Sequence, residues 1–499
     1  MKKIRTLFFL CLTPMAFLNA DTLSGEELKR TIYSNYRENY LITPADADSL
    51  GDVFAKGMVY GRLRSHTFYY RWNNDLDTKD THLLSGIGGS LIYKTAPYAN
   101  VDFTGGLYYT YSLFNPGTSA FNAFKSGKDT FSRFDYANTG NQGIGVVGQA
   151  YIRYRGVPKT DMMVGRQIVE SFYTKSNDSK MIPNTFDAVV LDSRYVQDTR
   201  IKIGYLAKQK LRDHSQNHSV LVYGDANSSS SNQPQWSQND DSAMHRGLTY
   251  TAQKAHGVNT DMGLFIADVQ HLPLEGLRVN ASAYSVPELV SSGMLEMNYR
   301  LIEGSNFVIT PGVRYIHQFD NGAGAIGGAA LTGKAVVGGS QREGYNNPDS
   351  VESNMLGARL VTQYQNYKLN IAMTHVFDEA DLIAPWRGFP TSGYTRSMAR
   401  YNWRANTTSY RVQLERNFGQ AGIYANTYMQ ASFLHTNADE SKGAFDENYY
   451  YVGFVQNVPS LVDMSWRLRI GYNDTNEIEV LTDNDFDSLD TRFELNFLF

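Results

Sequence analysis

The sequence predicts an all-β chain: a transmembrane antiparallel β-barrel of about 18 strands, within a range of 16–20, with short turns on one rim and long loops on the other. Three observations carry this. Apolar side chains recur at every second position through segment after segment. Beyond the first twenty residues, no run reaches the roughly 18 apolar residues that a spanning helix needs. The connections between alternating segments switch, for most of the chain, between short and long. The mean hydropathy of -0.39 does not argue against a membrane. A spanning strand needs only about 9–11 residues with every second one apolar, so the average hides it.

The N-terminus, "MKKIRTLFFLCLTPMAFLNAD", has the pattern of a secretory signal. Lys2, Lys3 and Arg5 form a charged start, residues 7–18 an apolar stretch, and Leu18-Asn19-Ala20 a small-residue cut site, so residues 1–20 are expected to be removed on export. The chain's single cysteine, Cys11, lies inside that stretch. Disulfides and thiol chemistry are therefore not expected in the exported chain. Residues 21–46 are expected to form an N-terminal extension on the periplasmic side, with a short helix starting at Ser24 and Glu27 closing a capping box. The barrel is expected over 47–499.

Strands are expected at 57–72, 82–95, 99–112, 144–155, 159–167, 186–196, 199–208, 259–270, 277–287, 290–301, 306–318, 352–364, 367–377, 407–418, 421–434, 447–456, 463–473 and 490–499. Their two faces differ in chemistry. Val101, Phe103, Leu107, Tyr109 and Tyr111 oppose Asp102, Thr104, Tyr108, Thr110 and Ser112. Ile144, Val146, Ala150, Ile152 and Tyr154 oppose Gln149, Tyr151, Arg153 and Arg155. At the C-terminus, Phe493, Leu495, Phe497 and Phe499 oppose Arg492, Glu494 and Asn496. This last strand is expected to pair with the first and remove both sheet edges.

Short connections fall near 97, at 156–158, near 197, and at 303–306, 365–366, 419–420 and 457–460. Long ones fall at 113–143, 168–185, 209–258, 319–351, 378–406 and 474–489. Pro287-Glu288-Leu289 breaks the rule, being very short where a long loop is due. A soluble all-β solenoid or propeller would also alternate, but no fixed-length repeat is present.

A barrel of this size is too wide to fill with strand side chains and encloses an aqueous channel. The face opposite the apolar one carries Arg62, Arg64, Arg153, Arg155, Arg200, Lys202, Arg278, Arg300, Arg314, Arg359, Arg411, Arg467 and Arg469. Acids on that face are fewer: Asp102, Glu296, Glu415 and Glu494. A chain of net charge -4 thus sorts cations inward, forming a basic track that draws anionic solutes. The segment 168–185 is expected to fold inward as a constriction, with Ser176, Asp178, Lys180 and Pro183 as its marker residues.

"VGRQIVESFYTKSNDSKMIPNTFDAVVLDS" resembles a segment of the OprD-type outer-membrane porins of Gram-negative bacteria. Gly165, Arg166 and Gln167 match its first part, and Asp178, Lys180, Pro183, Thr185 and Phe186 its second. Lys180 stands where arginine is usual, and Asp187-Ala188 where glycine is frequent. "SLGDVFAKGMVYGRLRSHTFYYRW" is similar to the family's first strand. The resemblance implies an 18-stranded barrel with a loop-narrowed eyelet, an arginine ladder and small, often carboxylate-bearing, solutes. It also implies outer-membrane lipid and lipopolysaccharide as surroundings. A terminal phenylalanine resembles the signal that outer-membrane assembly machinery reads.

The expected function is passive diffusion of small hydrophilic solutes, anionic ones preferred, in the Gram-negative outer membrane. The alternative is a surface adhesin or antigen whose long loops, 209–258 and 319–351, bind ligands. Nothing points to an enzyme: there is no G-x-S-x-G elbow. No metal spacing and no cofactor motif is present either. The small net charge and the absence of a basic domain argue against nucleic acid.

Overall fold

The computed structural model describes residues 30–32, 38–40, 44–72, 81–114, 130, 140–177, 180–221, 245–303, 307–333, 344–419, 425–461, 463–475 and 487–499. The signal stretch and the Ser24–Glu27 capping box lie outside them. Within the extension, Arg30–Ile32 pairs with Glu38–Tyr40 as a small antiparallel ribbon. A short helix, α1 (Leu50–Ala55), then begins where Ser49 accepts a hydrogen bond from the Asp52 N–H.

Eighteen antiparallel strands close on themselves. They are β1 (Met58–Trp72), β2 (Thr81–Lys94), β3 (Val101–Phe114), β4 (Gly143–Tyr154), β5 (Thr160–Gln167) and β6 (Thr185–Ser193). Next come β7 (Thr199–Lys210), β8 (Leu264–Leu274), β9 (Leu277–Val286), β10 (Val290–Tyr299, continued by Leu301–Glu303), β11 (Phe307–Asp320) and β12 (Ser353–Tyr364). The last six are β13 (Tyr367–Val376), β14 (Thr407–Asn417), β15 (Thr427–Asn437), β16 (Glu447–Asn457), β17 (Met464–Thr475) and β18 (Ser488–Leu498). Each strand pairs with its sequence neighbours, and β18 pairs with β1 from Ser488↔Trp72 to Leu498↔Arg62, so no edge remains in the barrel.

Most strands start and stop within a few residues of expectation. The largest shifts are β15, expected at 421–434 and found at Thr427–Asn437, and β8, expected at 259–270 and found at Leu264–Leu274. The displaced end of β8 is set by the turn Glu275-Gly276. Gly276 adopts φ +80, and a Cβ there would lie 2.8 Å from the Arg300 carbonyl oxygen. Other short turns take the same left-handed conformation at Asn100, Lys159, Asp198 and Gln365, but the two-residue connection expected at 419–420 is not found, since β14 ends at Asn417 and β15 begins at Thr427. The break at Pro287–Leu289 is real: Val286 pairs directly with Val290. Its backbone is capped by the next connection, where Asn321 and Ala323 N–H groups donate to the Leu289 carbonyl.

The outward face is an apolar belt. Leu63, Leu107, Val164, Ile203 and Phe265 are all exposed, and Phe493 and Phe497 join them on the last strand. Such a surface on a closed barrel fits a lipid contact. Within one strand the expected faces are wrong for half the length. Ile144 and Val146 do not share a face with Ile152 and Tyr154. Gly106 pairs with Gln149 and Leu107 with Val147, leaving Gly148 as a bulge. One extra residue reverses the alternation, so Ile144 and Val146 turn inward and pack with Ile92, Tyr108, Met181 and Ile182.

The interior is not uniformly polar. Along the arc β6–β13, inward positions include Val190, Leu206, Ile266, Met294, Ile316, Met355 and Val376. The described loop residues Val220, Leu221, Leu248, Ile383, Trp386 and Trp403 cover them as a contiguous apolar core inside the barrel. Polar inward positions occur on both arcs, with Glu296, Asn298 and Arg314 buried on β10 and β11, and they run on with few apolar ones from β14 through the seam to β1. There Arg411, Gln413, Arg469, Arg492, Glu494, Asn496, Arg62 and Arg64 are buried, as is Asp102 on β3.

Candidate conduction path and constriction

Two loops cross the interior. The first, residues 168–184, leaves β5 through the sequence Gly165-Arg166-Gln167. Gly165 sits at φ +124, and a Cβ would fall 2.4 Å from the Ala150 carbonyl oxygen. Arg166 makes a two-point contact with Asp187, Nε to Oδ1 at 2.8 Å and Nη2 to Oδ2 at 3.1 Å. Gln167 donates to the Ala188 carbonyl at 3.1 Å. Asp187-Ala188, the departure from the resembled pattern, is therefore the anchor of the loop's root. Gly165→Val is expected to cost more than about 1 kcal/mol, because both the backbone angle and the space exclude a side chain. The midpoint of heat-induced mobility change on a detergent gel measures it; an unchanged midpoint would contradict the tight approach.

From this root the loop reaches the far wall. Phe172 N–H donates to Asp268 on β8, and the Tyr173 hydroxyl lies 3.0 Å from the Ser292 hydroxyl on β10. Lys202 Nζ donates to the Glu170 carbonyl at 2.5 Å. Returning, Lys180 Nζ sits 4.4 Å from the centre of the Phe68 ring on β1. Its carbonyl lies 3.4 Å from His66 Nδ1. Pro183 is buried, and its carbonyl accepts from Lys210 Nζ at 3.3 Å. Ser176 is fully buried and knitted into the loop itself: its N–H donates to Glu170 and its carbonyl accepts from Asn184 N–H. Asp178 lies outside the described residues.

The second inward loop, residues 377–406, was expected only as a long outer connection. Trp386 is completely buried, donates Nε1–H to the Val220 carbonyl at 2.8 Å, and meets the Tyr284 ring edge-on at 4.8 Å. Gly388 N–H donates to the Tyr173 carbonyl and Lys175 N–H to the Trp386 carbonyl, so the two loops are joined by backbone hydrogen bonds. The wall arginines also hold this loop. Arg314 Nη1 donates to the Pro390 and Ser392 carbonyls, both at 2.7 Å, and Arg359 to Gly393 at 3.0 Å. The Tyr394 ring lies against both guanidiniums, at 4.3 and 4.6 Å.

The expected cations do not stand free around the wall. Four inward carboxylates each sit between two of them. Asp102 contacts Arg153 at 2.9 Å and Arg155 at 3.2 Å. Asp192 contacts Arg200 at 2.5 Å and Lys202 at 3.3 Å. Glu296 contacts Arg314, and Arg359 at 3.5 Å. Glu494 contacts Arg64 at 2.7 Å and Arg467 at 3.8 Å. Three of the clusters keep a positive excess, whereas beside Arg200 and Lys202 the further acids Asp161, across from Asp192, and Asp268, across from Lys202, cancel it. Arg411 donates to the Arg396 carbonyl, and Arg469 Nη2 lies 3.4 Å from His66 Nε2. Arg62 is buried beside the seam. Arg278 and Arg300 are exposed beside the Glu275-Gly276 turn, at the short-turn rim and not in mid-wall.

Asp192 was missed, although Ala188, Val190 and Asp192 share one parity in "AVVLDS". Asp490, bonded to Arg492 at 2.9 Å on β18, was missed for want of the same count. For the second loop the signal was the aromatic density of "APWRGFPTSGYTRSMARYNW", high for a segment meant to face water. Among the loop groups, burial lowers the pKa of His218 to about 3 and also lowers that of His245. Burial pushes Asp439 upward, but hydrogen bonds from Lys442, Ser441 and Asn406 outweigh it and hold the carboxyl below its usual range.

Comparison of this closed barrel with solved structures decides its fold. OccAB2 of Acinetobacter baumannii superimposes with a TM-score of 0.65 at 13% identity, covering 90% of this chain and 99% of that one. The fold is that of the OprD-type outer-membrane channels. Among Pseudomonas aeruginosa structures of this fold, OpdK with vanillate gives 0.62 at 12% identity, covering 88% of this chain and 98% of that one. OccK8 (OprE) gives 0.63 at 12%, covering 90% and 99%. The OprD-type likeness spans nearly the whole chain. No family model matches the sequence, and no curated relative does.

Proposed function

We propose that the chain is an outer-membrane diffusion channel for small hydrophilic solutes, preferring anions and carboxylates. The observation that carries this is the set of four inward clusters in which one carboxylate is held between two cations. Paired acids fix the arginine forks in place while leaving a positive surplus at the Asp102, Glu296 and Glu494 clusters, and fixed charge in a low-dielectric wall concentrates counter-ions. The two crossing loops supply a constriction that sieves by size. OpdK, of the same fold, was solved with vanillate, a carboxylate, which supports the solute class.

This reading places the apolar belt in lipid beside lipopolysaccharide, after export on the signal at residues 1–20. The Phe499-ended strand would be recognised by the assembly machinery. No cofactor, metal or catalytic group enters it.

Reconstituted in a planar bilayer under a salt gradient, the protein is expected to give discrete channel steps and an anion-selective reversal potential. Absence of steps would overturn the channel; a cation-selective potential would overturn the anion preference alone. Arg153→Glu with Arg155→Glu converts the Asp102 cluster from net positive to net negative and is expected to lower anion selectivity. Unchanged selectivity would show that this cluster lies off the conduction path.

A further inference from the structure

The helix α1 lies outside the barrel, not beneath its mouth. Its carbonyl at Phe54 accepts from the Tyr93 hydroxyl at 2.9 Å. Tyr93 shares the outward register of β2 with Leu83, Ile87 and Leu91, which are all exposed, while Leu84 and Ile92 on the opposite parity are buried. Ala96 N–H donates to the Val53 carbonyl at 2.9 Å and Ala47 N–H to Pro97 at 2.7 Å, fixing the segment at the end of β2, on the short-turn rim. A Cβ at Gly57 would lie 2.5 Å from the Tyr93 hydroxyl, so the exit from the helix is also pressed to the outer wall.

The helix divides its faces. Half-buried Val53 turns toward the barrel. Lys56 gathers Asp48 at 2.8 Å and Asp52 at 3.3 Å, making a polar edge. Leu50 and Phe54, one turn apart, are 71% and 68% exposed, more than any large apolar residue of the spanning strands. On the outer wall, exposed Val59 of β1 pairs with Tyr93, the residue that bonds the helix, and exposed Leu91 lies two positions before Tyr93 on the same face of β2. A soluble face would not place its two largest apolar side chains together at full exposure beside a lipid belt.

We propose that α1 is a foot on the membrane surface: Leu50 and Phe54 dip into the phospholipid leaflet at the short-turn rim, while Asp48, Asp52 and Lys56 stay in water. An amphipathic helix at an interface binds in this way, apolar face down. The proposal rests on the lipid-facing reading of the outer wall, and its test separates the two.

With Cys11 replaced by serine, single cysteines at Phe54, Leu50, Leu63 (mid-belt) and Asp48 (polar edge) carry a nitroxide label in the whole protein, reconstituted in phosphatidylcholine vesicles. Relaxation by oxygen and by a water-soluble nickel chelate is compared. At 54 and 50 the oxygen-to-nickel ratio is expected to approach that at 63 and to exceed that at 48 several-fold. A nickel response at 54 equal to that at 48 overturns the foot and places the helix in water. Low accessibility to both reagents also overturns it and shows the pair covered by protein, such as residues 21–43. Failure of Leu63 itself to show a lipid signature would instead overturn the outer-wall reading.

Discussion

Glu494→Ala is expected to lower the unfolding free energy of the barrel by about 3–5 kcal/mol. Glu494 stands on the last strand and Arg64 on the first, and their 2.7 Å ion pair crosses the seam where the sheet closes. Both side chains are buried. Removing the carboxylate breaks this buried ion pair and takes away the negative charge that stands among Arg64, Arg467 and Arg469. That penalty is larger than the worth of an exposed pair, which is under about 1 kcal/mol. The denaturant midpoint of the reconstituted protein measures it. Arg64→Leu combined with Glu494→Leu is expected to recover much of the loss, since both charges go together. A single variant as stable as the parent would show that the seam is held by its backbone ladder alone.

Trp386→Ala is expected to have the second large effect, and on conductance. The indole fills the interior core and anchors loop 377–406 to the Val220 carbonyl, and its own carbonyl accepts from the 168–184 loop. Deleting a fully buried tryptophan costs about 3–5 kcal/mol, here charged to the packing of the loops and not to the strands. The barrel should still form, while single-channel conductance rises and becomes noisier and larger solutes enter. A conductance and solute cut-off equal to the parent's would mean that the two loops do not set the constriction.

Much of the architecture is legible in the alternation. Period-2 patterning survives because each strand must be apolar toward lipid, and eighteen such segments are countable by eye. The Glu494–Arg64 seam follows from the same parity. What escapes is whatever changes parity or leaves the strands. A single bulge at Gly148 sends Ile144 and Val146 inward, and nothing local in "GIGVVGQAY" marks the insertion apart from its glycines. The apolar arc from Val190 to Val376 escapes because a strand covered on both sides shows no contrast between its faces. The pairing of Asp102, Asp192, Glu296 and Glu494 with two cations each is a matter of register between strands, which spacing within one strand does not encode. Loop 377–406 was legible in composition, through Trp386, Tyr394 and Trp403, but its destination depended on the core that receives it.

That interior core has a consequence for how the chain can change over generations. Loops on a barrel's outer rim ordinarily drift fastest, and packed walls slowest. Here Trp386, Trp403, Leu382 and Ile383 are shape-fitted among other side chains, whereas Leu63, Leu107 and Ile203 need only be apolar. Sequence divergence should therefore run inside out. The lipid face should exchange freely among leucine, valine, isoleucine and phenylalanine, while parts of the connecting loops hold still as a globular core does.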